Sequence, residues 1–255
     1  MYGWRARIGL LATAINTVME PEFWELAPRG VSIHTSRVAT EREGTPETLR
    51  AMEQAALDAA RLCACGEPDV VVYGCTSGSF FEGPKWNEKI IRDLSEITGC
   101  PAVTTAGAMA ACLVESGVKR INVVTPYVEF TNERLKQFLN AFGIEVVRLG
   151  TFDMLDMFDH AKIEPEAVYA KTKEIDCSEA EAVFIACTQV RALEVVEILE
   201  RDLGKPVYSA NQASAWEAFK VLGIDPQVTD RGSLLRSLSG RSAAAQPQAK
   251  VSAAR

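Results

Sequence analysis

Short runs of β-branched and aliphatic residues alternate along the chain with longer amphipathic segments. Runs of the first kind predict buried strands, and segments of the second kind predict helices that cover them. The predicted strands are Arg7–Leu11, Val31–Thr35, Val70–Tyr73, Ala102–Thr104, Ile121–Val124, Glu145–Leu149, Ala182–Ala186 and Val207–Ser209. The predicted helices include Thr45–Cys65, Lys85–Thr98, Ala106–Ser116, Phe130–Phe142, Glu164–Lys173, Val190–Asp202 and Gln212–Leu222. This alternation is typical of an α/β fold built on parallel sheets.

The pattern repeats itself once along the chain. Three ordered matches recur at nearly one displacement: Arg-Ile at Arg7 and Arg120, Cys-Thr at Cys75 and Cys187, and Gly-x-Pro at Gly99 and Gly204. General likeness among α/β proteins would not reproduce Cys-Thr and Gly-x-Pro at matched strand ends. The repetition therefore predicts a duplicated fold.

We expect two pseudo-symmetric lobes, each a flavodoxin-like parallel sheet flanked by helices, with the active site in the cleft between them. The first lobe is predicted to comprise residues 1–102 together with 207–238, and the second to comprise residues 103–206. Residues 239–255 are rich in Ser, Ala and Gln and lack the periodicity of a core element, so we expect a disordered tail.

The charge and cysteine content narrow the possible functions. A net charge of -7 does not favour nucleic-acid binding, and no apolar stretch has the length of a membrane-spanning helix. We expect a cytoplasmic protein whose seven cysteines are reduced, because an odd number cannot pair completely. No C-x2-C pair is present and only His34 and His160 could add imidazole ligands, so no metal is expected. No Gly-rich nucleotide loop appears either, so we expect no cofactor.

Two of the cysteines follow apolar strands directly. Cys75 is followed by Thr76, Ser77 and Ser79, and Cys187 is followed by Thr188 and Gln189. Turns of this composition present hydroxyls and backbone N–H groups that can hold a carboxylate or a thiolate. We therefore expect Cys75 and Cys187 to be the catalytic pair. The other five cysteines fall on helical patterns or connections and are expected to be structural.

The two turns also carry a family resemblance. GlyCysThrSer around Cys75 and AlaCysThrGln around Cys187 resemble the aspartate/glutamate racemase superfamily, in its maleate cis-trans isomerase and arylmalonate decarboxylase branch. The resemblance extends to about Leu238 and includes Thr-Pro-Tyr at 125–127 and Val-Tyr-Ser-Ala-Asn at 207–211. Arylmalonate decarboxylases have glycine where Cys75 stands. The presence of both cysteines therefore implies an isomerase or a racemase.

Within this branch, ArgIleGlyLeu at 7–10 and HisThrSerArg at 34–37 resemble maleate isomerases. The resemblance implies that Asn16 binds a substrate carboxylate, and that Thr76, Ser77, Tyr127 and Thr188 add donors. Gln189 is a further donor candidate, and Arg37 and Arg191 are candidates to clamp a dicarboxylate. The chain departs from the family pattern at Thr13-Ala14-Ile15, which replaces Pro-Ser-Ser, and around Leu155–Asp159, where a second asparagine is expected and not found.

The leading hypothesis is conversion of maleate to fumarate through a succinyl-cysteine intermediate. A racemase that uses Cys75 and Cys187 as a two-base pair is the alternative within the same chemistry. Two other classes stay open: a carboxylate-binding or catabolic accessory protein without catalysis, and a thiol redox protein. The expected partner is a small mono- or dicarboxylate, and we expect a homodimer.

Overall fold

The computed structural model describes residues 2–240 and contains two parallel four-stranded sheets. The first sheet has the order β2-β1-β3-β4, and its strands are β1 Ala6–Thr13, β2 Val31–Val38, β3 Val70–Gly74 and β4 Ala102–Thr104. The second has the order β6-β5-β7-β8, and its strands are β5 Arg120–Thr125, β6 Glu145–Thr151, β7 Ala182–Ile185 and β8 Val207–Ser209. The equal strand order confirms the predicted fold of two pseudo-symmetric lobes.

Helices connect and flank the strands. They are α1 Met19–Leu26, α2 Pro46–Ala64, α3 Thr76–Phe80, α4 Pro84–Thr98, α5 Thr105–Glu115, α6 Glu129–Asn140, α7 Pro165–Glu174, α8 Leu193–Leu203, α9 Ala210–Leu222 and α10 Ser233–Arg236, with a 3-10 turn at Asp159–Lys162. The seven predicted helices are all present, with ends shifted by a few residues. The short helices α1, α3 and α10 and the 3-10 turn were not expected.

Local sequence explains where the helices begin and end. The Ser209 hydroxyl accepts a hydrogen bond from the backbone N–H of Gln212, and the Gln212 side chain accepts one from the backbone of Ser209, which forms a capping box at the start of α9. Gly99 and Gly204 end α4 and α8 in the left-handed conformation, which glycine adopts without steric cost.

The strand pairing corrects the expected lobe boundaries. Strand β8 pairs with β7 through Val183 and Val207, so residues 207–209 belong to the second sheet and not to the first lobe. Strand β4 pairs with β3, so residues 103–104 complete the first sheet. The prediction was wrong at these strands because the Gly-x-Pro repeat locates a strand without showing its partner. Helix α9 packs on α5 and also contacts β3 and β4 of the first sheet.

The two sheets share one hydrophobic core. It includes Ile8 and Val72 from the first sheet, Val123 and Phe184 from the second, and residues of α5 and α9 between them. Burial of these side chains on folding fixes the lobes against each other. Within residues 2–240, no helix is both long and apolar enough to cross a membrane. Of the expected tail, residues 241–255 lie outside the described residues.

Candidate active site

The two predicted catalytic cysteines line one pocket at the carboxyl ends of β3 and β7. Cys75 follows β3 and Cys187 stands two residues after β7, and both side chains are buried. The pocket encloses about 360 Å³, counted with the solvent at its mouth. Its lining contains all eight predicted site residues, Asn16, Cys75, Thr76, Ser77, Tyr127, Cys187, Thr188 and Gln189, together with Thr13, Ile15, Met157 and His160.

The Cys75 thiol sits at the start of α3. The backbone N–H of Gly78 donates to Sγ at 3.3 Å, and the Ser77 hydroxyl lies 3.8 Å away. Burial raises the pKa of the Cys75 thiol, and these donors offset part of the rise. A Cβ on Gly78 would stand 2.6 Å from the phenol oxygen of Tyr73 and 3.0 Å from Sγ of Cys75. Only glycine therefore fits beside this thiol.

The Cys187 thiol is held differently. Its backbone has a φ of 90°. This conformation is strained in any residue that has a Cβ atom, and such strain is concentrated at functional sites. The backbone N–H of Gln189 donates to Sγ at 3.4 Å, and Nδ1 of His160 lies 3.5 Å from Sγ. Burial raises the pKa of Cys187 to about 12, against the lowering effect of the Gln189 N–H and the Tyr127 phenol.

Two hydroxyls near the thiols line the pocket, those of Thr76 and Tyr127. The Thr76 hydroxyl oxygen is buried and has no hydrogen-bond partner within residues 2–240. Burial, and then the negative charges that Cys187 and Cys75 carry as thiolates, raise the pKa of the Tyr127 phenol well above its usual value. Tyr127 therefore keeps its proton and can donate a hydrogen bond to a carboxylate.

Asn16 and Gln189 connect the lobes at the pocket. Asn16 Nδ2 donates to the Thr188 hydroxyl at 3.0 Å, and its Oδ1 accepts from the backbone N–H groups that begin α1. The Gln189 side chain donates to the carbonyl of Ile15 and accepts from the N–H of Thr17, both at 2.8 Å. Its amide therefore holds the loop after β1, whereas we expected a free donor for substrate.

A comparison with known proteins decides the family. The model of the arylmalonate decarboxylase family matches residues 8–235, nearly the whole of both lobes. The chain belongs to this family. The match confirms the resemblance that the two Cys-Thr turns indicated.

Proteins similar to this chain have two different activities. A maleate isomerase of Geobacillus stearothermophilus is 27% identical over 243 residues, which cover 90% of this chain and 96% of the relative. The arylmalonate decarboxylase of Bordetella bronchiseptica is 28% identical over 184 residues, which cover 70% of this chain and 75% of the relative.

A solved structure is also similar over nearly its full length. It is the maleate cis-trans isomerase of Nocardia farcinica, in a cysteine-to-serine variant with a covalently bound succinylcysteine intermediate. It is 28% identical to this chain, covers 91% of this chain and 98% of its own, and has a TM-score of 0.86.

The two arginines proposed as a carboxylate clamp do not line the pocket of this family member. Arg191 pairs with Glu164 and Glu194 at the surface, ahead of α8. Arg37 pairs with Glu20 and donates to the backbone carbonyl of Asn16 at 2.7 Å. Both guanidinium groups are taken up by acidic or backbone partners, so the expectation of a clamp was wrong.

Sequence reasoning missed His160 as a pocket residue. It lies on the 3-10 turn directly after the segment in which the family pattern leads to an asparagine, and it is buried. The fact that the chain has only two histidines was the sole sequence signal. Within residues 2–240, no group of three or more His, Cys, Asp or Glu side chains is placed to hold a metal.

Two loops, one from each lobe, contact each other near the pocket residues Met157 and His160. Arg42 makes a forked ion pair with Asp156, with nitrogen–oxygen distances of 2.6 Å and 3.0 Å. Beside it the backbone N–H of Gly44 donates to the carbonyl of Leu155 at 3.0 Å. These contacts hold the β2–α2 loop against the segment that carries Met157 and His160.

Proposed function

We propose that this protein is a cofactor-independent isomerase that converts maleate to fumarate. The observation that carries the proposal is that one buried pocket receives a thiol from each lobe, Cys75 and Cys187, with hydroxyl donors between them. The maleate isomerase relatives and the succinylcysteine found in one of them support this chemistry.

The substrate carboxylates bind through neutral donors. Thr76 and Ser77 present hydroxyls beside the first thiol, and Tyr127 presents its phenol beside the second. The Thr188 hydroxyl gives its hydrogen to the Gly74 carbonyl, and the Asn16 amide keeps one N–H for a ligand after it donates to Thr188. No Lys or Arg belongs to the described pocket lining. Hydrogen bonds to a charged carboxylate in a buried site are about twice as strong as bonds between neutral groups, so these donors suffice to orient a dicarboxylate.

The reaction has two halves. The Cys75 thiolate adds to one alkene carbon of maleate, the carbon–sulfur bond forms, and the π electrons move toward the adjacent carboxylate. Cys187 then transfers its proton to the neighbouring carbon, which leaves a succinyl group on Cys75. The former double bond is now single and rotates. Cys187 removes the proton again, the carbon–sulfur bond breaks, and fumarate leaves.

The surroundings of the two thiols fit these roles. Cys75 is the nucleophile because Gly78 and Ser77 direct donors at its sulfur, which stabilises negative charge there. Cys187 is the acid because burial raises the pKa of its thiol to about 12, so the proton lies on Cys187 when Cys75 is the thiolate. Covalent catalysis of this kind replaces one high barrier by two lower ones.

Incubation of the protein with maleate in deuterated water, followed by proton NMR, tests the proposal. We expect fumarate to appear without added metal or cofactor, and Cys75→Ser to abolish it. In the Cys187→Ser protein water has to supply the proton to carbon and no thiolate removes it again, so a succinyl adduct should accumulate on Cys75, visible by mass spectrometry. Cys65→Ser, which changes an exposed cysteine, is the matched control and should retain activity. Absence of fumarate from the unaltered protein would rule out maleate as substrate.

The same experiment separates the alternatives. A racemase would leave maleate unchanged and exchange the α-proton of an amino or hydroxy acid for deuterium. A carboxylate-binding protein would bind the ligand without any conversion, and a redox protein would form a Cys75–Cys187 disulfide after mild oxidation.

The assembly and location also belong to the proposal. We propose a homodimer and a cytoplasmic location, as the sequence led us to expect. Size-exclusion chromatography with light scattering measures the oligomeric state, and a monomer at micromolar concentration would exclude the dimer.

A further inference from the structure

The two-thiol pocket has to lose one proton before it can act. The proposed chemistry uses one thiol and one thiolate, yet burial raises the pKa of both Cys75 and Cys187 above that of a free cysteine. On burial alone, both cysteines would therefore be protonated thiols at neutral pH. A base at the pocket would resolve this, and His160 is the only imidazole in the described lining.

The contacts of its two nitrogens define the orientation of the His160 ring. Nε2 lies 3.0 Å from the backbone carbonyl oxygen of Met154, which can only accept a hydrogen bond, so Nε2 carries the hydrogen. In the neutral ring Nδ1 is then the bare acceptor. Nδ1 lies 3.5 Å from Sγ of Cys187, within reach of the thiol proton.

We propose that His160 takes the proton of Cys187, so that the free protein holds a Cys187 thiolate beside a His160 imidazolium. The S–H bond breaks and sulfur keeps its electron pair, while the lone pair of Nδ1 forms the new N–H bond. The Nε2 hydrogen stays on Nε2 and keeps its hydrogen bond to the Met154 carbonyl. No further reactant takes part in the step.

The pair forms because its two charges appear together. Burial opposes either charge alone and lowers the pKa of His160, but opposite charges 3.5 Å apart in a buried site attract strongly. Thiolate–imidazolium pairs of this kind are known chemistry for reactive cysteines. The Met154 carbonyl adds to this, because it accepts a hydrogen bond from the charged ring.

Four other titratable groups surround the ring, and two of them favour its charged form against the effect of burial. They are the Tyr127 phenol, whose ring centroid is 6.1 Å from that of His160, Cys75 across the pocket, and Asp156 and Asp159 on the same segment, whose carboxylates pair with Arg42 and Lys162. The two aspartates raise the pKa of His160, and Tyr127 stays neutral.

The Cys187–His160 pair has a role in the isomerisation, and this role rests on the proposed function. The Cys187 thiolate accepts the proton of Cys75, so Cys75 becomes the nucleophile and Cys187 the acid, while the imidazolium keeps the positive charge. A maleate dianion then meets one cation in a pocket lining that otherwise contains none.

Histidine NMR tests the pair without substrate. The chain has two histidines, so protein labelled with ¹⁵N in histidine gives two imidazole spin systems, and His34→Gln assigns them. At pH 7 we expect both nitrogens of His160 to be protonated. In Cys187→Ser, His160 should return to the neutral form with hydrogen on Nε2. A neutral His160 at pH 7 in the unaltered protein would overturn the proposal.

Thiol alkylation gives the second test. In Cys75→Ser protein, the rate at which iodoacetamide modifies Cys187 is followed against pH by peptide mass spectrometry. We expect His160→Asn, which keeps a hydrogen-bonding group near the Nδ1 position and cannot take a proton, to lower the rate at pH 7 by at least about tenfold. An unchanged rate would contradict the pair. Neither test uses maleate, so they can fail while the isomerase assay succeeds, and the reverse.

Discussion

The hydroxyl of Thr188 donates a hydrogen bond of 3.2 Å to the backbone carbonyl of Gly74. Thr188 directly follows Cys187 and Gly74 directly precedes Cys75, so this single bond joins the two thiol-bearing turns across the lobes. The same hydroxyl accepts from Asn16 at 3.0 Å. The relative position of the thiols is therefore set at the pocket itself as well as by the distant core.

Thr188→Val should break this connection without changing the shape of the side chain. The Gly74 carbonyl and the Asn16 amide lose a buried partner, which costs about 1–3 kcal/mol of unfolding free energy. We expect kcat/KM for maleate to fall at least tenfold, on the order of 1.4 kcal/mol or more. Thr188→Ser keeps the hydroxyl and is the matched control. Equal kcat/KM in the Val and Ser variants would argue against the connection.

Gly78→Ala should push the Cys75 thiol out of place. The added methyl group would stand 2.6 Å from the Tyr73 phenol oxygen, closer than Cβ atoms come, and 3.0 Å from Sγ of Cys75, which is a tight contact. Overpacking of this kind costs about 1–3 kcal/mol, and here part of it moves the nucleophile, so kcat should fall. The double variant with Tyr73→Phe removes one of the two clashes. Steady-state kinetics should show partial recovery in it, and a single variant as active as the unaltered protein would contradict the geometry.

Comparison of Cys187→Gly with Cys187→Ala should separate the effect of backbone strain on stability from the effect of the thiol on catalysis. Both remove the thiol and should abolish isomerisation. Because the backbone φ of 90° favours glycine, we expect the Gly variant to be more stable than the Ala variant by about 1 kcal/mol. Urea denaturation of the two proteins measures this difference. A more stable Ala variant would mean that the backbone relaxes and that no strain is stored at this cysteine.

Glu22 should make stability depend on pH. Burial raises its carboxyl pKa from 4.5 to about 8, with Asn211 Nδ2 donating to it at 2.7 Å. Between these values the folded protein holds a proton that the unfolded chain releases. The stabilisation is therefore complete below pH 4.5 and is lost as pH rises through about 8, with a slope of at most about 1.4 kcal/mol per pH unit.

Glu22→Gln should remove this dependence, since an amide resembles the protonated carboxyl. Its NH₂ group can also donate to the buried Asn211 Oδ1, which lacks a partner among residues 2–240. Urea denaturation measures the free energy of unfolding of both proteins at pH 5.5 and 8.5. Between these pH values the unaltered protein should lose more than about 2 kcal/mol relative to the Gln variant. Glu67→Gln, at an exposed carboxylate, is the control and should follow the unaltered protein.

Most of the fold could be predicted because its elements are locally encoded. Strand β4 and strand β8 have their predicted ends, and the runs around Val70 and Ile121 carry enough β-branched residues to mark a buried strand. Helix α3 was missed because Thr76–Phe80 has the composition of a turn, and its helical form depends on packing against the rest of the pocket. The sheet that β8 joins is a long-range property, and the boundary at 206 was wrong for that reason.

The candidate site divides in the same way. Cys75 and Cys187 could be found because each directly follows an apolar strand and precedes hydroxyl residues. His160 could not, because its role depends on the distances to Cys187 and Met154, which the fold sets across 27 and 6 residues. Arg37 and Arg191 were proposed as carboxylate ligands from their charge alone. Only the structure shows that acidic side chains of the protein already pair with them.

The forked pair of Arg42 and Asp156 between the two loops is largely exposed to water. Ions in the surrounding solution screen such a pair, whereas they hardly reach the buried thiols beneath it. Ionic strength therefore acts on the contact between the two loops and leaves the buried thiols largely unaffected. The contact between the lobes beside the pocket and the state of the two thiols therefore respond to different properties of the medium.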